Sequence, residues 1–307
     1  MINSVTSVPI NKIENDFLKE NQVELIIQRE DLIHPFISGN KWRKLKYNVE
    51  KFRKGNFESL VTFGGTSSNH IAATAAAGKK FDIPCVGIIR GDDKRALSST
   101  LEFAKKQGMK LEFISRSDYK NKNSESFLKE LSVHYPNSYL LPEGGSNIEA
   151  IQGCAEITAV HSAFDTVICA CGTGTTLSGI ISSLKPHQNA IGIPVLKNAN
   201  FLNIAIQQQL NSINCNNTNW KLELNYHLGG YAKYHEGLIA FIQDFYTQTE
   251  IQLDPLYTGK MLFALYDLIA KKSISNCSVL AIHTGGLQGV IDYEKRYNLN
   301  LFSKINP

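Results

Sequence analysis

The stretch DTVICACGTGTTLSG, residues 165–179, predicts a buried strand, a tight turn and the start of a helix. The run DTVICAC is short and apolar, which is typical of a strand covered on both faces. After the turn, apolar residues recur at helical spacing, at Leu177, Ile180, Ile181 and Leu184. The turn offers N–H groups and hydroxyls at a helix N-terminus, from Gly172, Thr173, Gly174, Thr175 and Thr176. Such a turn can bind a phosphate group.

The turn lacks two standard nucleotide-binding patterns. It is not a Walker loop, because no Gly-Lys-Ser/Thr follows. The glycines at 172, 174 and 179 also miss the G-x-G-x-x-G spacing of a dinucleotide fold. Two alternatives to a phosphate site remain open. One is an ordinary glycine-rich strand-to-helix turn. An NADP-dependent oxidoreductase, with Lys197 as the partner of a 2′-phosphate, is the other.

The same alternation of strand and helix runs along the whole chain. Strand-like runs are VELIIQRE, SLVTFGG, PCVGIIRG, LEFIS, DTVICAC, NAIGIPVL and SVLAIHTGG. Amphipathic helical segments separate them, including SNHIAATAAAGKKF, STLEFAKKQG and FLNIAIQQQL. This order predicts an α/β protein with mostly parallel sheets flanked by helices. The glycine motifs follow strands, and ligands bind at the carboxyl ends of open parallel sheets.

Composition excludes several classes of protein. The chain has 307 residues, 43% of them hydrophobic, and a net charge of +4 without a basic stripe, so nucleic acid is not an expected partner. No apolar run reaches the roughly 20 residues of a membrane helix, and the N-terminal residues lack the apolar core of a signal peptide. The six cysteines are scattered, which favours reduced thiols, a cytoplasmic location and no metal site.

A second stretch, ISGNKWRKLKY at residues 37–47, places a lysine at a helix start. Trp42, Leu45 and Val49 form one buried stripe, and the same spacing predicts that Arg43 and Lys46 face solvent. A turn and N-cap at residues 38–40 would put Lys41 in the first helical turn. The helix dipole there lowers the pKa of an amine, which suits a nucleophile. An ordinary basic surface is the alternative.

A third stretch, GGTSSNHIAA at residues 64–73, crowds Ser67, Ser68, Asn69 and His70 at another helix start. Serine and asparagine there can be caps of the helix. Hydroxyl, amide and N–H donors at a helix N-terminus can also bind a carboxylate. PEGGSN and IHTGGLQG are two further glycine-rich turns.

In order, the motifs REDLIHPFISGNKWRKLKY, GGTSSNH, PEGGSN, CGTGTT, DPLYTGKM and IHTGG resemble one family. It is the pyridoxal-phosphate family of D-cysteine desulfhydrases and 1-aminocyclopropane-1-carboxylate deaminases, and the resemblance spans Arg29 to Gly289. It implies fold type II: two open, mostly parallel twisted sheets flanked by helices, with the active site between two domains. Residues 1–45 with 150–307 would form the larger cofactor-binding domain, and 46–149 the smaller domain carrying the Ser68–Asn69 loop.

The resemblance also implies roles for single residues. Lys41 corresponds to the Schiff-base lysine, and Gly172 to Thr176 to the phosphate cup. Ser68, Asn69 and His70 correspond to the substrate-carboxylate loop, with Asn69 also near the pyridine hydroxyl. Tyr231 and Tyr257 correspond to active-site tyrosines. For a cyclopropane substrate, whose ring opens, a tyrosine or Ser68 would act as acid or nucleophile. Thr284 corresponds to the residue facing the pyridine nitrogen, with Thr258 as the competing candidate.

The function implied is elimination from a D-amino acid with a β-leaving group, giving a 2-oxo acid and ammonia. The family's deaminases have glutamate where Thr258 stands, and its desulfhydrases have threonine, so D-cysteine is favoured over aminocyclopropane carboxylate. A catalytically weak homologue that only binds amino acids is a further alternative. The resemblance also implies a homodimer. Expected partners are a small amino-acid substrate and neither nucleic acid nor membrane.

Overall fold

Two sheets, each covered by helices on both faces, organise the chain in the computed structural model, which describes residues 7–92 and 96–302. The predicted α/β class with mostly parallel sheets is confirmed. The strands are β1 (Ile10–Ile13), β2 (Val23–Gln28), β3 (Ser59–Gly65), β4 (Cys85–Arg90), β5 (Lys110–Ile114), β6 (Ser138–Leu141), β7 (Thr166–Cys171), β8 (Asn189–Pro194), β9 (Trp220–Leu222) and β10 (Cys277–Ile282).

The helices follow the strands along the chain, as the sequence predicts. They are α1 (Asp16–Glu20), α2 (Asn40–Lys54), α3 (Asn69–Phe81), α4 (Ser99–Lys106), α5 (Arg116–Lys120), α6 (Glu125–His134), α7 (Ile148–Ala155), α8 (Ile157–Val160), α9 (Thr175–Ser182), α10 (Phe201–Asn211), α11 (Glu236–Thr249), α12 (Thr258–Ala270) and α13 (Val290–Tyr297).

The larger sheet has six strands in the order β1-β2-β10-β7-β8-β9. All neighbours are parallel except β1, which pairs antiparallel with β2 at the edge. The strand β7 shows why its sequence is apolar throughout. Val167, Cys169 and Cys171 pack in a core with α7, α9 and α10, and Ile168 and Ala170 pack in the opposite core with α11 and α12.

The smaller sheet has four parallel strands in the order β5-β4-β3-β6. All of its strands lie within the predicted smaller domain, and those of the larger sheet lie outside it. The exact domain boundaries stay a prediction. The predicted ranges also include residues 1–6, 93–95 and 303–307, which lie outside the described residues.

The helix α2 is buried on more sides than its apolar stripe indicates. Trp42, Leu45 and Val49 are buried as predicted, but the prediction that Arg43 and Lys46 face solvent is wrong. Arg43 is fully buried and binds Glu30 through two hydrogen bonds of 2.9 Å. Lys46 lies 2.5 Å from the carboxylate of Glu156.

This ion-pair network overrides the pattern because each buried cation has a carboxylate partner. Glu30 and Glu156 come from segments on either side of α2 in sequence. Removing one partner would leave an uncompensated buried charge, which is far more costly than losing a surface pair.

In the part of the chain that the structure describes, no helix is both long enough and apolar enough to cross a membrane. All six cysteines are free thiols, and Cys85, Cys154, Cys169 and Cys171 are buried.

Candidate active site

Lys41 lies at the second position of α2, so the prediction of a first-turn lysine is confirmed. The N-cap lies within the predicted residues 38–40, at Gly39, which has φ of 62° and no side-chain cap. A Cβ at Gly39 would lie 1.9 Å from the carbonyl oxygen of Thr284. The N–H of Asn40 donates to that same carbonyl at 3.2 Å. The helix start is therefore fixed against the carboxyl end of β10.

The amine of Lys41 has one hydrogen-bond partner among the described residues, the side-chain oxygen of Asn40 at 3.0 Å. The Asn40 amide nitrogen donates to the hydroxyl of Thr176 at 2.8 Å. Burial, followed by repulsion from Lys44, lowers the pKa of the Lys41 amine to about 7. Much of this amine is therefore neutral near neutral pH, as attack on a carbonyl requires.

Lys44 is a second buried amine beside Lys41, and the sequence analysis missed it. Its amine donates to the carbonyl of Gly144 at 2.9 Å, and burial lowers its pKa. Residues three apart on a helix share a face, so the spacing from Lys41 to Lys44 was a usable signal. The structure thus places the Lys44 amine, which can carry a positive charge, beside the Lys41 amine. An anionic ligand would be stabilised there.

The turn at residues 172–176 connects β7 to α9 as predicted. Gly174 is the N-cap of α9 with φ of 82°, and a Cβ there would lie 2.6 Å from Ile206. No side chain caps this helix, so its first N–H groups have no side-chain acceptor. Thr175 and Thr176 are buried in the first turn. The arrangement is that of an anion site at a helix N-terminus.

The PEGGSN turn of the smaller sheet lies directly on this cup. The hydroxyl of Ser146 is 2.6 Å from that of Thr175. A Cβ at Gly144 would lie 2.9 Å from the methyl group of Thr173. Gln209 donates to both Ser146 and the Thr173 carbonyl, at 3.2 and 3.1 Å. The cup is therefore closed by loops from both sheets, and its hydroxyls already form a network.

The Ser68 loop connects β3 to α3, also at a carboxyl end. Ser68 is the N-cap of α3, and its hydroxyl accepts a hydrogen bond from the Ile71 N–H at 3.3 Å. The side-chain oxygen of Asn69 is buried and has no hydrogen-bond partner among the described residues. A buried acceptor without a partner is costly, which makes Asn69 a candidate contact for a bound group.

The ring of His70 points behind this loop. Thr62 donates its only hydroxyl proton to the Leu141 carbonyl at 2.8 Å, so His70 Nε2, 2.7 Å away, carries a proton and donates to Thr62. The His70 Nδ1 is then a bare acceptor, buried and without a partner in the described residues. Burial, then the charges of Lys41 and Lys44, holds the pKa of His70 well below its usual value.

Tyr231 and Tyr257 meet edge to face, with ring centroids 5.9 Å apart. A Cβ at Gly172 would lie 3.4 Å from the Tyr257 ring, so this tyrosine borders the cup. Burial raises the pKa of both phenols. Both tyrosines are therefore proton donors rather than bases at neutral pH.

The two candidate threonines have different environments. The Thr258 hydroxyl donates to Asp254 at 2.6 Å and accepts from the Asp254 N–H at 3.0 Å. The Thr284 side chain is buried, and its hydroxyl takes part in none of the hydrogen bonds of the described residues. Thr284 therefore has the hydroxyl that is available to a ligand.

Asp254 is a buried carboxylate that the sequence analysis missed, although it opens the DPLYTGKM motif. It accepts hydrogen bonds from the N–H groups of Leu256, Tyr257 and Thr258, at 2.7 to 2.9 Å. A Cβ at Gly286 would lie 3.2 Å from its carboxylate and 2.9 Å from the Asn69 amide. The loops after β3 and β10 and the start of α12 therefore converge here.

A buried lysine amine beside an anion cup, with phenols and hydroxyls at the carboxyl ends of two sheets, is the residue set that a pyridoxal-phosphate enzyme requires. Residues 4–285 match the family described as pyridoxal-phosphate dependent enzyme, and the chain belongs to this family. That membership overturns the dinucleotide interpretation of the turn.

Three individual relatives are named for one or both of two activities. A putative 1-aminocyclopropane-1-carboxylate deaminase of Pyrococcus furiosus is 30% identical over 88% of this chain and 87% of its own. The D-cysteine desulfhydrase of Yersinia enterocolitica is 28% identical over 94% of this chain and 93% of its own. A bifunctional mitochondrial D-cysteine desulfhydrase/1-aminocyclopropane-1-carboxylate deaminase of Arabidopsis thaliana is 30% identical over 89% of this chain and 74% of its own.

The fold agrees with these relatives. The crystal structure of an ACC deaminase homologue superposes with a TM-score of 0.81, at 26% identity, over 94% of this chain and 92% of its own. The predicted fold type and cofactor are therefore confirmed.

Proposed function

We propose that the protein is a lyase that eliminates the β-substituent of a D-amino acid such as D-cysteine, giving a 2-oxo acid and ammonia. The observation that carries the proposal is the surroundings of Thr258, which follows Tyr257. The hydroxyl of Thr258 is hydrogen-bonded to the carboxylate of Asp254. The hydroxyl of Thr284 therefore remains for the pyridine nitrogen.

A neutral hydroxyl at the pyridine nitrogen favours rapid expulsion of a leaving group. Without a carboxylate that nitrogen is less readily protonated, and negative charge left at the substrate Cα is spread less widely. That electron pair can form a Cα–Cβ double bond at once, while the β-sulfur leaves as thiolate with the electrons of the Cβ–S bond. The resemblance of the Tyr257–Thr258 pair to the family's desulfhydrases supports the same conclusion.

The proposed cofactor site joins the turn at residues 172–176 to Lys41. The N–H groups of the turn and the first turn of α9 would hold the phosphate, and Lys44 would add charge. Lys41 would bond to the cofactor aldehyde. Asn69 would contact the pyridine hydroxyl. When bound, pyridoxal phosphate draws electron density from the substrate Cα towards its ring.

The proposed substrate site uses the start of α3. The Ser68 hydroxyl and the N–H groups of Asn69 and His70 would bind the substrate carboxylate at this helix N-terminus. The His70 contribution is its backbone, because its ring bonds to Thr62 behind the loop.

The substrate amine would take the place of Lys41 on the aldehyde. The released Lys41 amine is then the proposed base, because it would be neutral in a large fraction near pH 7. It would take the Cα proton as the bond from Cβ to sulfur breaks. Tyr257, bordering the cup, or Tyr231 would supply a proton to the departing thiolate. With one water added, D-cysteine gives pyruvate, hydrogen sulfide and ammonia, so atoms and charge balance.

Parallel assays of the purified protein test this function. We expect pyruvate release from D-cysteine and β-chloro-D-alanine at much higher kcat/KM than 2-oxobutyrate release from 1-aminocyclopropane-1-carboxylate. Faster turnover of L-cysteine contradicts the proposed chirality. Bound cofactor without any turnover would identify a catalytically weak homologue.

Aminocyclopropane carboxylate deamination is the second candidate, because the relatives of Pyrococcus and Arabidopsis carry that name. The Tyr231–Tyr257 pair supplies an acid for ring opening. Comparable turnover of the cyclopropane acid and D-cysteine would establish this activity.

Three further properties are proposed with the function. The domain division at residues 45/46 and 149/150 is proposed because all strands of the smaller sheet lie between these positions. A homodimer is proposed from the family resemblance, and gel filtration with light scattering tests it. A cytoplasmic location is supported by the free, mostly buried cysteines.

A further inference from the structure

Lys260, on the first turn of α12, is a fully buried lysine that takes no part in the site described above. Its amine donates to the carbonyls of His227 and Gly230, both at 2.7 Å. No carboxylate of the described residues forms an ion pair with it. Burial lowers the pKa of this amine to about 8. Burying an amine is unfavourable, so an apolar side chain at position 260 would stabilise the protein more than lysine does.

The two carbonyls bracket a strained segment of backbone. Leu228, Gly229 and Gly230 have φ of 48°, 84° and 114°, and Ala232 has φ of 53°. Non-glycine residues in the left-handed region cost about 1–2 kcal/mol each. Such a segment persists only where its surroundings hold it.

The downstream half of this segment is held from α13. Tyr297 donates to the carbonyl of Ala232 at 3.0 Å, and Tyr293 to that of Lys233 at 3.1 Å. Lys260 holds the upstream half. Tyr231 lies between these two sets of contacts, and the residue is 36% exposed.

The helix α12 connects this loop to the site. Tyr257 is the N-cap of α12, and Lys260 lies three residues later. The start of this helix therefore positions the Tyr257 ring directly. It also positions the loop that carries Tyr231, through the two hydrogen bonds of Lys260. The result is the edge-to-face contact of the two rings.

We propose that Lys260 is a positioning residue that presents Tyr231 to the active site by holding the carbonyls of His227 and Gly230. This inference rests on the proposed role of Tyr231. It predicts that the loss of Lys260 acts through Tyr231 and leaves the lysine-bound cofactor unchanged.

A double-mutant cycle on the holoenzyme tests the proposal. We expect Lys260→Met and Tyr231→Phe each to lower kcat for D-cysteine by about tenfold or more, the scale of a displaced general acid. The double variant should be no slower than Tyr231→Phe alone, within about twofold, because both changes remove one function. The exposed Lys271, at the end of the same helix, gives the control Lys271→Met, with kcat unchanged.

A second readout does not use activity. We expect Lys260→Met to speed amide hydrogen exchange in the peptide covering residues 227–233, with α10 unchanged. The cofactor absorption should match that of the unaltered protein. If Lys260→Met does not fold, Gly230→Ala replaces it in the cycle, because its φ strains the same turn and a Cβ there meets nothing closer than 3.6 Å.

The outcomes separate the two hypotheses. Multiplying losses in the double variant, or a fully active Lys260→Met protein, overturns the role of Lys260 and leaves that of Tyr231. Full activity of Tyr231→Phe removes the proposed role of Tyr231, and the Lys260 proposal with it. Loss of the cofactor absorption in Lys260→Met would mean that Lys260 acts on the cofactor site instead.

Discussion

Asn40 donates a 2.8 Å hydrogen bond from its side-chain amide to the hydroxyl of Thr176. The other end of the same amide accepts from the amine of Lys41 at 3.0 Å. One side chain therefore fixes the spacing between the amine and the anion cup. That spacing is what a cofactor with an aldehyde at one position and a phosphate at another requires.

Asn40→Ala should weaken cofactor binding about tenfold. The change leaves the buried Thr176 hydroxyl without its donor and frees the Lys41 amine, which together cost about 1–2 kcal/mol. Titration of the cofactor-free protein by absorbance measures the effect. Asn203→Ala on the exposed face of α10 is the control, and equal affinities of the two variants would contradict the role of Asn40.

Borohydride reduction should attach the pyridoxyl label to Lys41 and to no other lysine. Lys44 is the sharp competitor, because it is also a buried amine with a lowered pKa. Its hydrogen bond to the Gly144 carbonyl directs it to the cup. Peptide mapping reads the position, and a label on Lys44 would reverse the two roles. Lys41→Ala should still bind the cofactor but lose the absorption of the lysine-bound form.

The contribution of Lys41 to the stability of the cofactor-free protein should rise from pH 7 towards pH 10. The pKa of Lys41 is about 7 in the folded protein, lowered by burial and then by Lys44, against 10.5 as its ordinary value. Between these values the unfolded chain holds a proton that the folded chain has released, so the free energy of unfolding increases with pH. Below pH 7 the penalty for charging the buried amine is fully present.

Lys41→Met removes this titration. We expect the difference between the two proteins to change by on the order of 2 kcal/mol from pH 7 to pH 10. This is less than the full pKa shift implies, because Lys41 as a residue is only half-buried and solvent screens its charge. Urea unfolding at a series of pH values measures it. Lys271→Met should keep the curve of the unaltered protein, and parallel curves for Lys41→Met would contradict the lowered pKa.

The local parts of this site could be predicted from sequence, and the parts that depend on distant partners could not. Lys41 and the turn at residues 172–176 each follow from one short stretch, because a strand, a glycine turn and a helix start specify their own geometry. The burial of Arg43 could not be read from α2, since its partner Glu30 lies outside the helix. Periodicity describes apolar faces and is blind to a cation that is buried because it is paired.

The same limit applies to Asp254 and Lys260. Both lie in the DPLYTGKM motif, yet their partners are backbone groups whose positions only the fold defines. A neutral N–H or carbonyl leaves no mark in the sequence. The positive φ of Leu228 and Ala232 was equally invisible, because leucine and alanine rarely adopt this conformation.

Gly39→Ala should be among the most destabilising small substitutions in the chain. Its φ of 62° disfavours a side chain, and a Cβ would lie 1.9 Å from the Thr284 carbonyl oxygen. We expect a loss of at least about 3 kcal/mol, because two backbone segments must separate. Gly108→Ala is the matched control, with φ of 92° and open space around it, at about 1–2 kcal/mol. Equal losses in thermal unfolding would show that the close contact is absent.

The matched pair Thr258→Val and Thr284→Val should separate a structural threonine from one that faces the cofactor. Valine keeps the shape of threonine and removes the hydroxyl. At Thr258 the hydroxyl bonds twice to Asp254, so its loss leaves a buried carboxylate short of one donor and costs about 1–3 kcal/mol of stability. The absorption of the bound cofactor should stay unchanged, because Asp254 keeps its three backbone donors.

At Thr284 no described residue accepts from the hydroxyl, so thermal stability without cofactor should change little. If that hydroxyl faces the pyridine nitrogen, its loss should instead shift the absorption of the bound cofactor and lower kcat for D-cysteine by about tenfold, one hydrogen bond's worth. Thermal unfolding of the cofactor-free variants and absorption spectra of the loaded ones give both readouts. The reverse pattern, a spectral shift in Thr258→Val with Thr284→Val spectrally silent, would assign the pyridine nitrogen to Thr258 instead of Thr284.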